Sequence, residues 1–282
     1  MSPLLNHVAR CHKAVLPGPR RPFRIGAAVV GWVLPEFAAA LLRFPAIRRD
    51  GDGLRLEADR APDLWAIGRA LAEQGVLGWR DEAFDVRAEP GGPVLAQLDR
   101  GALPAFGVWA EGVHVNGLVR AADGLRVWVG RRAADKAIDP GKLDHIVAGG
   151  IPAGLSAARA LVKEAAEEAG IPAALAAAAK PVGRIGYAME RPEGLRRDLL
   201  YCYDLTLPPE FVPRPADGEV AGFELWPLRR VYATVAGGDD FKFNVNLVLI
   251  DLFLRTRLID PDGAEGRALR QALDGPAPAV SA

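Results

Sequence analysis

Residues 149–171 read GGIPAGLSAARALVKEAAEEAGI, and this segment is the most informative part of the chain. A glycine loop leads into an alanine-rich stretch whose last two turns carry Glu164, Glu167 and Glu168. At about 100° per residue, the three side chains fall on one face of a helix. Like charges at this spacing repel each other, and anions near a helix C-terminus also oppose the helix dipole. A bound cation would remove both costs.

Local chemistry predicts where this helix begins and ends. Ser156 is a residue type that often caps a helix N-terminus, and Gly170 followed by Pro172 is typical of a C-terminus. Residues 143–148 read as a strand that enters the glycine loop. We therefore predict a strand, a glycine loop and a helix over 156–170 that holds three carboxylates.

The residue types in this segment favour a hard metal ion. Carboxylate oxygens select Mg²⁺ or Mn²⁺ over softer metals, and Mg²⁺ commonly joins a few carboxylates to phosphate oxygens. Adjacent glycines let the backbone approach closely, so a carbonyl near Gly149 can complete the ligand set. The segment therefore predicts chemistry on a phosphate ester or a diphosphate.

The composition narrows the class of partner. Basic and acidic residues number 35 each, so the formal net charge is zero. Electrostatic attraction to nucleic acid or to an anionic membrane is therefore not expected. The most apolar stretch, residues 25–42, is interrupted by Pro35 and reads as a strand, a turn and a helix instead of a membrane span. We expect a small-molecule partner, no nucleic acid and no membrane.

The remaining composition bears on redox chemistry and location. Cys11 and Cys202, with four scattered histidines, support neither a disulfide framework nor a zinc site. The N-terminal residues lack the apolar segment of a secretory signal. We expect a cytoplasmic protein, and the sequence leaves its oligomeric state open.

At 282 residues the chain is long enough for two domains. Residues 1–107 alternate short apolar helices with glycine- and proline-marked loops, which indicates a small α+β domain. Residues 108–273 begin with two strands joined by a tight turn, and further strands alternate with helices, which predicts an α/β domain with a mixed sheet. Residues 241–258 read as a helix with one buried face. The tail, residues 274–282, is expected to be disordered.

The glycine loop and helix resemble the Nudix box of the Nudix hydrolase superfamily. Aligned on Gly149, the family's ending Arg-Glu-x-x-Glu-Glu-x-Gly-aliphatic falls on residues 163–171 without a gap. The resemblance implies an α/β/α sandwich and a metal-activated water that attacks a diphosphate linkage. It also implies that Glu164 and Glu168 are the leading metal ligands, with Glu167 as a second ligand.

The box departs from the family pattern at two positions. A third residue departs from a narrower branch of the family, which is fused to thiamine pyrophosphokinase in some fungi. Leu155 occupies the place of an early glutamate, and Lys163 replaces the arginine that orients the glutamates; lysine keeps the charge but lacks the bidentate fork. Arg159 stands where the branch usually has glutamate. A ligand-binding module that kept the fold and lost turnover is therefore an open alternative.

Stretches outside the box resemble a narrower Nudix branch, which is fused to thiamine pyrophosphokinase in some fungi. They are residues 128–132 with Lys136, 143–150, 203–205, 217–220 and 241–244. The resemblance includes the small N-terminal domain, for which we hypothesise a role in substrate selection. It implies hydrolysis of oxidised or damaged thiamine diphosphate to the monophosphate. Hydrolysis of nucleotide sugars or dinucleotides is the competing interpretation.

Four further residues are candidates for the site. Glu219 is interpreted as an extra metal ligand or as the general base, with Glu164 as the rival base and a turn residue as the alternative. Arg131, Arg132 and Lys136 follow a strand edge, and we expect one of them to contact diphosphate oxygens. Clustered basic residues are otherwise solvated surface. His145, by contrast, is expected to be a hydrogen-bonded structural histidine.

Overall fold

Three sheets, two in the first half of the chain and one in the second, organise the computed structural model, which describes residues 2–275. Of the tail expected to be disordered, residues 276–282 lie outside the described residues. In the first half the elements are α1 (Pro3–Cys11), β1 (Arg21–Ile25), β2 (Ala28–Val33), α2 (Pro35–Leu41), β3 (Ile47–Asp50), β4 (Gly53–Leu56), α3 (Asp63–Glu73), β5 (Ala83–Val86), β6 (Ala96–Asp99) and α4 (Leu103–Phe106).

The N-terminal half is an α+β unit. Its four-stranded sheet has the order β2-β1-β4-β3, and β5 and β6 form a separate antiparallel pair. Phe23, Leu54, Leu64 and Leu98 belong to one buried cluster that joins the sheet, α3 and the β5–β6 pair. The expected small α+β domain is confirmed.

The second half carries the larger sheet. Its elements are β7 (Trp109–Ala121), β8 (Gly124–Arg132), β9 (Leu143–Asp144), β10 (Val147–Gly150), α5 (Ala157–Ala169), α6 (Ala173–Ala176), β11 (Lys180–Arg191), β12 (Gly194–Thr206), β13 (Val220–Pro227), α7 (Leu228–Gly237), α8 (Val245–Arg255) and α9 (Ala264–Leu273). The strand order is β11-β12-β7-β8-β13, with β10 paired to β7 and β9 to β8. The β12–β7 pair is parallel and its neighbours are antiparallel, so the sheet is mixed.

Helices cover both faces of this sheet. On one face Ala160, Leu161 and Ala165 of α5 pack with apolar side chains of β7. On the other face α1, α7, α8 and α9 share a core with β8, β11 and β12. The predicted α/β/α sandwich with a mixed sheet is confirmed.

Helix α8 differs from the sequence expectation of a single buried face. Every residue from Val245 to Leu254 is buried, because α1, α7 and α9 cover the side of α8 that is turned away from the sheet. Buried Asp251 is compensated by ion pairs with Arg255 and Arg270. Within residues 2–275, no helix has both the length and the apolar character needed to cross a membrane.

Candidate active site

Helix α5 has the ends that the sequence predicts. The Ser156 side chain accepts a hydrogen bond from the Arg159 amide at 3.4 Å. Gly170 closes the helix in the left-handed region, at φ 61°, where glycine is not strained. Because the apolar face of α5 packs on the sheet, its glutamates lie beside β10, the strand that leads into the glycine loop.

Glu168 is a buried carboxylate without a cationic partner in the part of the chain that the structure describes. Its side chain accepts a hydrogen bond from the Ala148 amide at 2.9 Å, and the residue is only 7% exposed. No lysine, arginine or histidine within residues 2–275 forms an ion pair with it. Burial raises the pKa of Glu168 to about 8, and the negative charges of Asp144 and Glu164 add to this effect. A bound cation would stabilise the ionised form.

Glu164 lies directly against the first glycine of the loop. A Cβ atom placed on Gly149 would come within 2.4 Å of the Glu164 Oε2 atom. Any side chain at position 149 would therefore displace this carboxylate. Burial raises the pKa of Glu164, while the nearby Lys163 ammonium, 3.2 Å from Oε1, opposes the rise. Glycine at 149 thus allows the carboxylate of Glu164 and the backbone of β10 to meet.

Lys163 connects two of the three glutamates. Its ammonium group binds Glu167 at 2.5 Å as well as Glu164, so one cation bridges both carboxylates. Glu167 is the most exposed of the three, with 49% of its side chain accessible. Its assignment as a second metal ligand stays a prediction.

Glu219 comes from the loop before β13 and forms an ion pair with Lys136 at 2.5 Å. Burial alone would raise the pKa of Glu219, but Lys136 outweighs burial and lowers it. Its charge also contributes to the raised pKa of Glu168. The structure therefore pairs Glu219 with Lys136 and leaves Glu219 ionised at neutral pH.

Arg132 is held by its own loop. Its guanidinium donates to the carbonyl oxygens of Ile138 and Asp139 and to the Asp144 carboxylate. Arg131 donates to the Gly141 carbonyl oxygen and is exposed. These contacts show how the two arginines shape residues 133–142; that one of Arg131, Arg132 and Lys136 contacts diphosphate oxygens stays a prediction.

Two buried histidines form a pair that no local sequence pattern indicates. His114 and His145 lie 31 positions apart, and their Nδ1 atoms are 3.0 Å apart in the structure. With Asp144 they can bring three ligand atoms within 4.8 Å of one another. Asp144 already contacts Arg132, Lys242 and the His145 amide, so its negative charge is compensated. His145 is therefore hydrogen-bonded as expected, through a partner that only the pairing of β7 with β10 reveals.

A cavity of about 470 Å³ opens beside the glycine loop. Gly149 and Gly150 form part of its wall, together with Lys242 from the segment before α8. Trp79 and Arg100 from the N-terminal half form another part. No sequence pattern signals this cavity, because its walls come from segments that only the tertiary fold brings together.

Comparison with known proteins decides the family. A family model described as NUDIX domain matches residues 111–244, and one described as a domain of unknown function, DUF4743, matches residues 3–110. Nudix hydrolase 20, chloroplastic, of Arabidopsis thaliana is 37% identical over 269 residues, which cover 89% of this chain and 72% of the relative. The chain belongs to the Nudix hydrolase family. Nudix hydrolase 24, chloroplastic, of the same plant is 36% identical and covers 92% of this chain and 74% of the relative.

A solved structure from Deinococcus radiodurans is also similar, with a TM-score of 0.46 and 22% identity, covering 60% of this chain and 97% of that one. The expected Nudix membership, the accompanying N-terminal domain and the assignment as a hydrolase acting on diphosphate bonds are confirmed. The fungal branch, the domain boundary after residue 107 and the cytoplasmic location stay predictions.

Nudix hydrolases generally use divalent cations, and the residues of this site fit one. Glu168 is buried and uncompensated, Glu164 lies beside it, and the Gly149 backbone is in contact with Glu164. All of these groups offer hard oxygen ligands, which suit Mg²⁺ and Mn²⁺.

Proposed function

We propose that this Nudix hydrolase is a Mg²⁺-dependent pyrophosphohydrolase that cleaves the diphosphate linkage of a small organic molecule. One observation carries the proposal: Glu168 is a buried carboxylate with no cationic partner in residues 2–275, next to Glu164 and Gly149. Such an arrangement is costly for an isolated protein and favourable once a divalent cation is bound.

Glu164, Glu168 and the Gly149 carbonyl would hold Mg²⁺, and Mn²⁺ suits the same ligands. When bound, the cation lowers the pKa of a coordinated water and stabilises charge on phosphate oxygens. The backbone amide of Ala148 orients Glu168, and Lys163 restrains Glu164. The protein thus fixes the carboxylates before substrate arrives, which lowers the cost of organising the site.

Glu219 is the general base that we propose, with Glu164 as the alternative. Lys136 keeps Glu219 ionised, and half of the Glu219 side chain is exposed, so it can accept a proton from a water molecule. Loss of a base lowers kcat, whereas loss of a ligand raises the Mg²⁺ concentration needed for half-maximal activity. Titration of Mg²⁺ against Glu219→Gln and Glu164→Gln therefore separates the two roles.

Oxidised thiamine diphosphate is the substrate that we propose first. Support comes from the similarity outside the box to the branch fused to thiamine pyrophosphokinase, including the N-terminal domain. Nucleotide sugars and dinucleotides are the second candidate class, because the same box serves them. A non-catalytic ligand-binding module is the third, favoured by Leu155, Arg159 and Lys163.

A panel of diphosphates distinguishes these candidates. Monophosphate release is measured for oxidised thiamine diphosphate, thiamine diphosphate, a nucleotide sugar and a dinucleotide, with Mg²⁺ and with a chelator. We expect the highest kcat/KM for oxidised thiamine diphosphate and no release with chelator. Faster hydrolysis of a nucleotide sugar or dinucleotide would favour the second class, and binding without any release would favour the third.

A further inference from the structure

The N-terminal domain is in direct contact with the Nudix box. The Ala153 amide donates to the Ala83 carbonyl oxygen of β5 at 2.8 Å, and the Gly154 amide donates to the Asp85 carboxylate at 3.1 Å. A Cβ atom on Gly150 would come within 2.4 Å of the Phe84 ring. The β5 strand therefore positions the loop that precedes the catalytic helix.

Cationic side chains from both domains converge on the cavity beside this loop. Among the residues that the structure describes, the cationic side chains that line the cavity are Arg80, Arg100, Arg191, Arg196, Arg197 and Lys242. The carboxylates that line it are Glu111, Glu193 and Asp198. Two of these carboxylates already accept hydrogen bonds of 2.9 Å, Glu111 from the Tyr201 hydroxyl and Asp198 from the Arg196 guanidinium. Arg100 is paired with Glu82, Arg196 with Asp198 and Lys242 with Asp144. Arg80 and Arg197 form no ion pair among residues 2–275, so the positive charge of the cavity is only partly compensated.

Part of the uncompensated positive charge, that of Arg80, lies where the two domains meet. Arg80 is an exposed residue with no ion-pair partner among residues 2–275, and partial burial together with the charges of Arg100 and Arg196 lowers its pKa. Lys242 is largely buried and lies 3.6 Å from Asp144. Burial lowers the pKa of Lys242, Asp144 opposes this, and the charges of Arg196 and Arg100 add to the lowering. Like charges held this close repel each other, and a bound anion would compensate them.

We propose that Arg80 and Arg100 of the N-terminal domain, with Arg196 and Lys242 of the Nudix domain, form the subsite that binds the phosphate groups of the substrate. Gly149 and Gly150 form part of the same cavity wall, so an anion bound there would lie beside the loop that precedes the glutamate-bearing helix α5. The N-terminal domain is then a part of the active site that contacts the reacting end of the substrate. This inference rests on the proposed diphosphate chemistry.

The experiment uses the full chain and imidodiphosphate, whose P–N–P bridge resists hydrolysis, in the presence of Mg²⁺. Affinity is measured by isothermal titration calorimetry for the wild type, Arg80→Gln, Arg100→Lys and the Arg80→Gln/Arg100→Gln double variant. Arg48→Gln is the matched control, because Arg48 is an exposed arginine of the same domain outside the cavity. Arg80 is suited to substitution because its side chain has no ion pair to lose among residues 2–275.

We expect Arg80→Gln to weaken binding about tenfold, the double variant to weaken it further, and Arg48→Gln to leave it unchanged. Arg100→Lys keeps the charge and should bind more tightly than the double variant. Wild-type affinity in Arg80→Gln and the double variant, or no binding by the wild type, would overturn the inference. Binding that depends on these arginines without hydrolysis of any diphosphate would leave the subsite standing and refute the proposed activity.

Discussion

A single carboxylate, Glu168, dominates the electrostatics of the site. Its pKa rises from the ordinary value of 4.5 to about 8 on folding, so folding favours the protonated form. The associated stability is fully present below pH 4.5 and is lost as the pH rises through about 8. We predict that the metal-free protein loses on the order of a few kcal/mol of unfolding free energy from this residue between pH 5 and pH 8.

Thermal unfolding in chelator at pH 5 and pH 8 measures this effect. Glu168→Gln should be less sensitive to pH than the wild type, and Glu210→Gln, at an exposed position, should behave as the wild type does. Other groups titrate in the same range, so the difference between variants is the informative quantity. Identical pH profiles for the wild type and Glu168→Gln would contradict the assignment.

Arg132 and Arg131 provide a second test at the residue scale. Arg132 donates to two carbonyl oxygens and to Asp144, whereas Arg131 makes one exposed bond. We predict that Arg132→Lys lowers the unfolding free energy by about 1–3 kcal/mol and that Arg131→Lys changes it by less than about 0.5 kcal/mol. Urea denaturation measures both. A raised KM with unchanged stability in Arg132→Lys would instead indicate substrate contact.

At the scale of elements, the two glycines of the strand-to-helix connection have different roles. A side chain at Gly149 displaces Glu164, whereas Gly154 has open space around it but a φ of +76°. We predict that Gly149→Ala reduces Mg²⁺-dependent hydrolysis about 10- to 100-fold. Gly154→Ala should cost about 1 kcal/mol of stability through backbone strain and retain most of the activity. Steady-state kinetics of both variants measure the difference. Equal losses of hydrolysis rate in Gly149→Ala and Gly154→Ala would show that the two glycines do not have different roles.

Elements set by local chemistry were predictable from the sequence. The cap at Ser156, the stop at Gly170 and the hairpin of β7 and β8 all follow from residues that are close in the chain. The strand expected over 143–148 is instead divided into β9 and β10. The chain changes partner there, because Asp144 pairs with Gly130 of β8 and Val147 pairs with Val115 of β7. This change of strand partner depends on strands that are distant in the chain, and local sequence patterns do not predict which strands pair.

At the scale of the whole molecule, helix α1 joins the first residues of the chain to its last helices. Leu4, Val8 and Cys11 are buried in the core that includes α8 and α9. We predict that Val8→Ala lowers the unfolding free energy by about 1–3 kcal/mol, since it opens a small cavity in that core. Val15→Ala is the control, because Val15 is 74% exposed. Equal urea midpoints for the two variants would show that α1 contributes little.

The composition of the site could be predicted only in part. Glu164, Glu167 and Glu168 lie on one short helix, so their proximity follows from periodicity. The cavity, the cations Arg100 and Lys242 that line it, and the histidine pair come from segments far apart in the chain. Their proximity is a property of the tertiary fold. No periodic pattern links those segments, so a single sequence does not predict that they meet.

We propose that Glu168 holds a divalent cation that is required for diphosphate cleavage. The most direct measurement is monophosphate release from the best substrate of the panel, followed as Mg²⁺ is titrated into the wild type and into folded Glu168→Gln. We predict saturable, chelator-sensitive release by the wild type and a loss of at least about a hundredfold in the variant. Equal release by both proteins, or release by the wild type that persists in chelator, would contradict the claim.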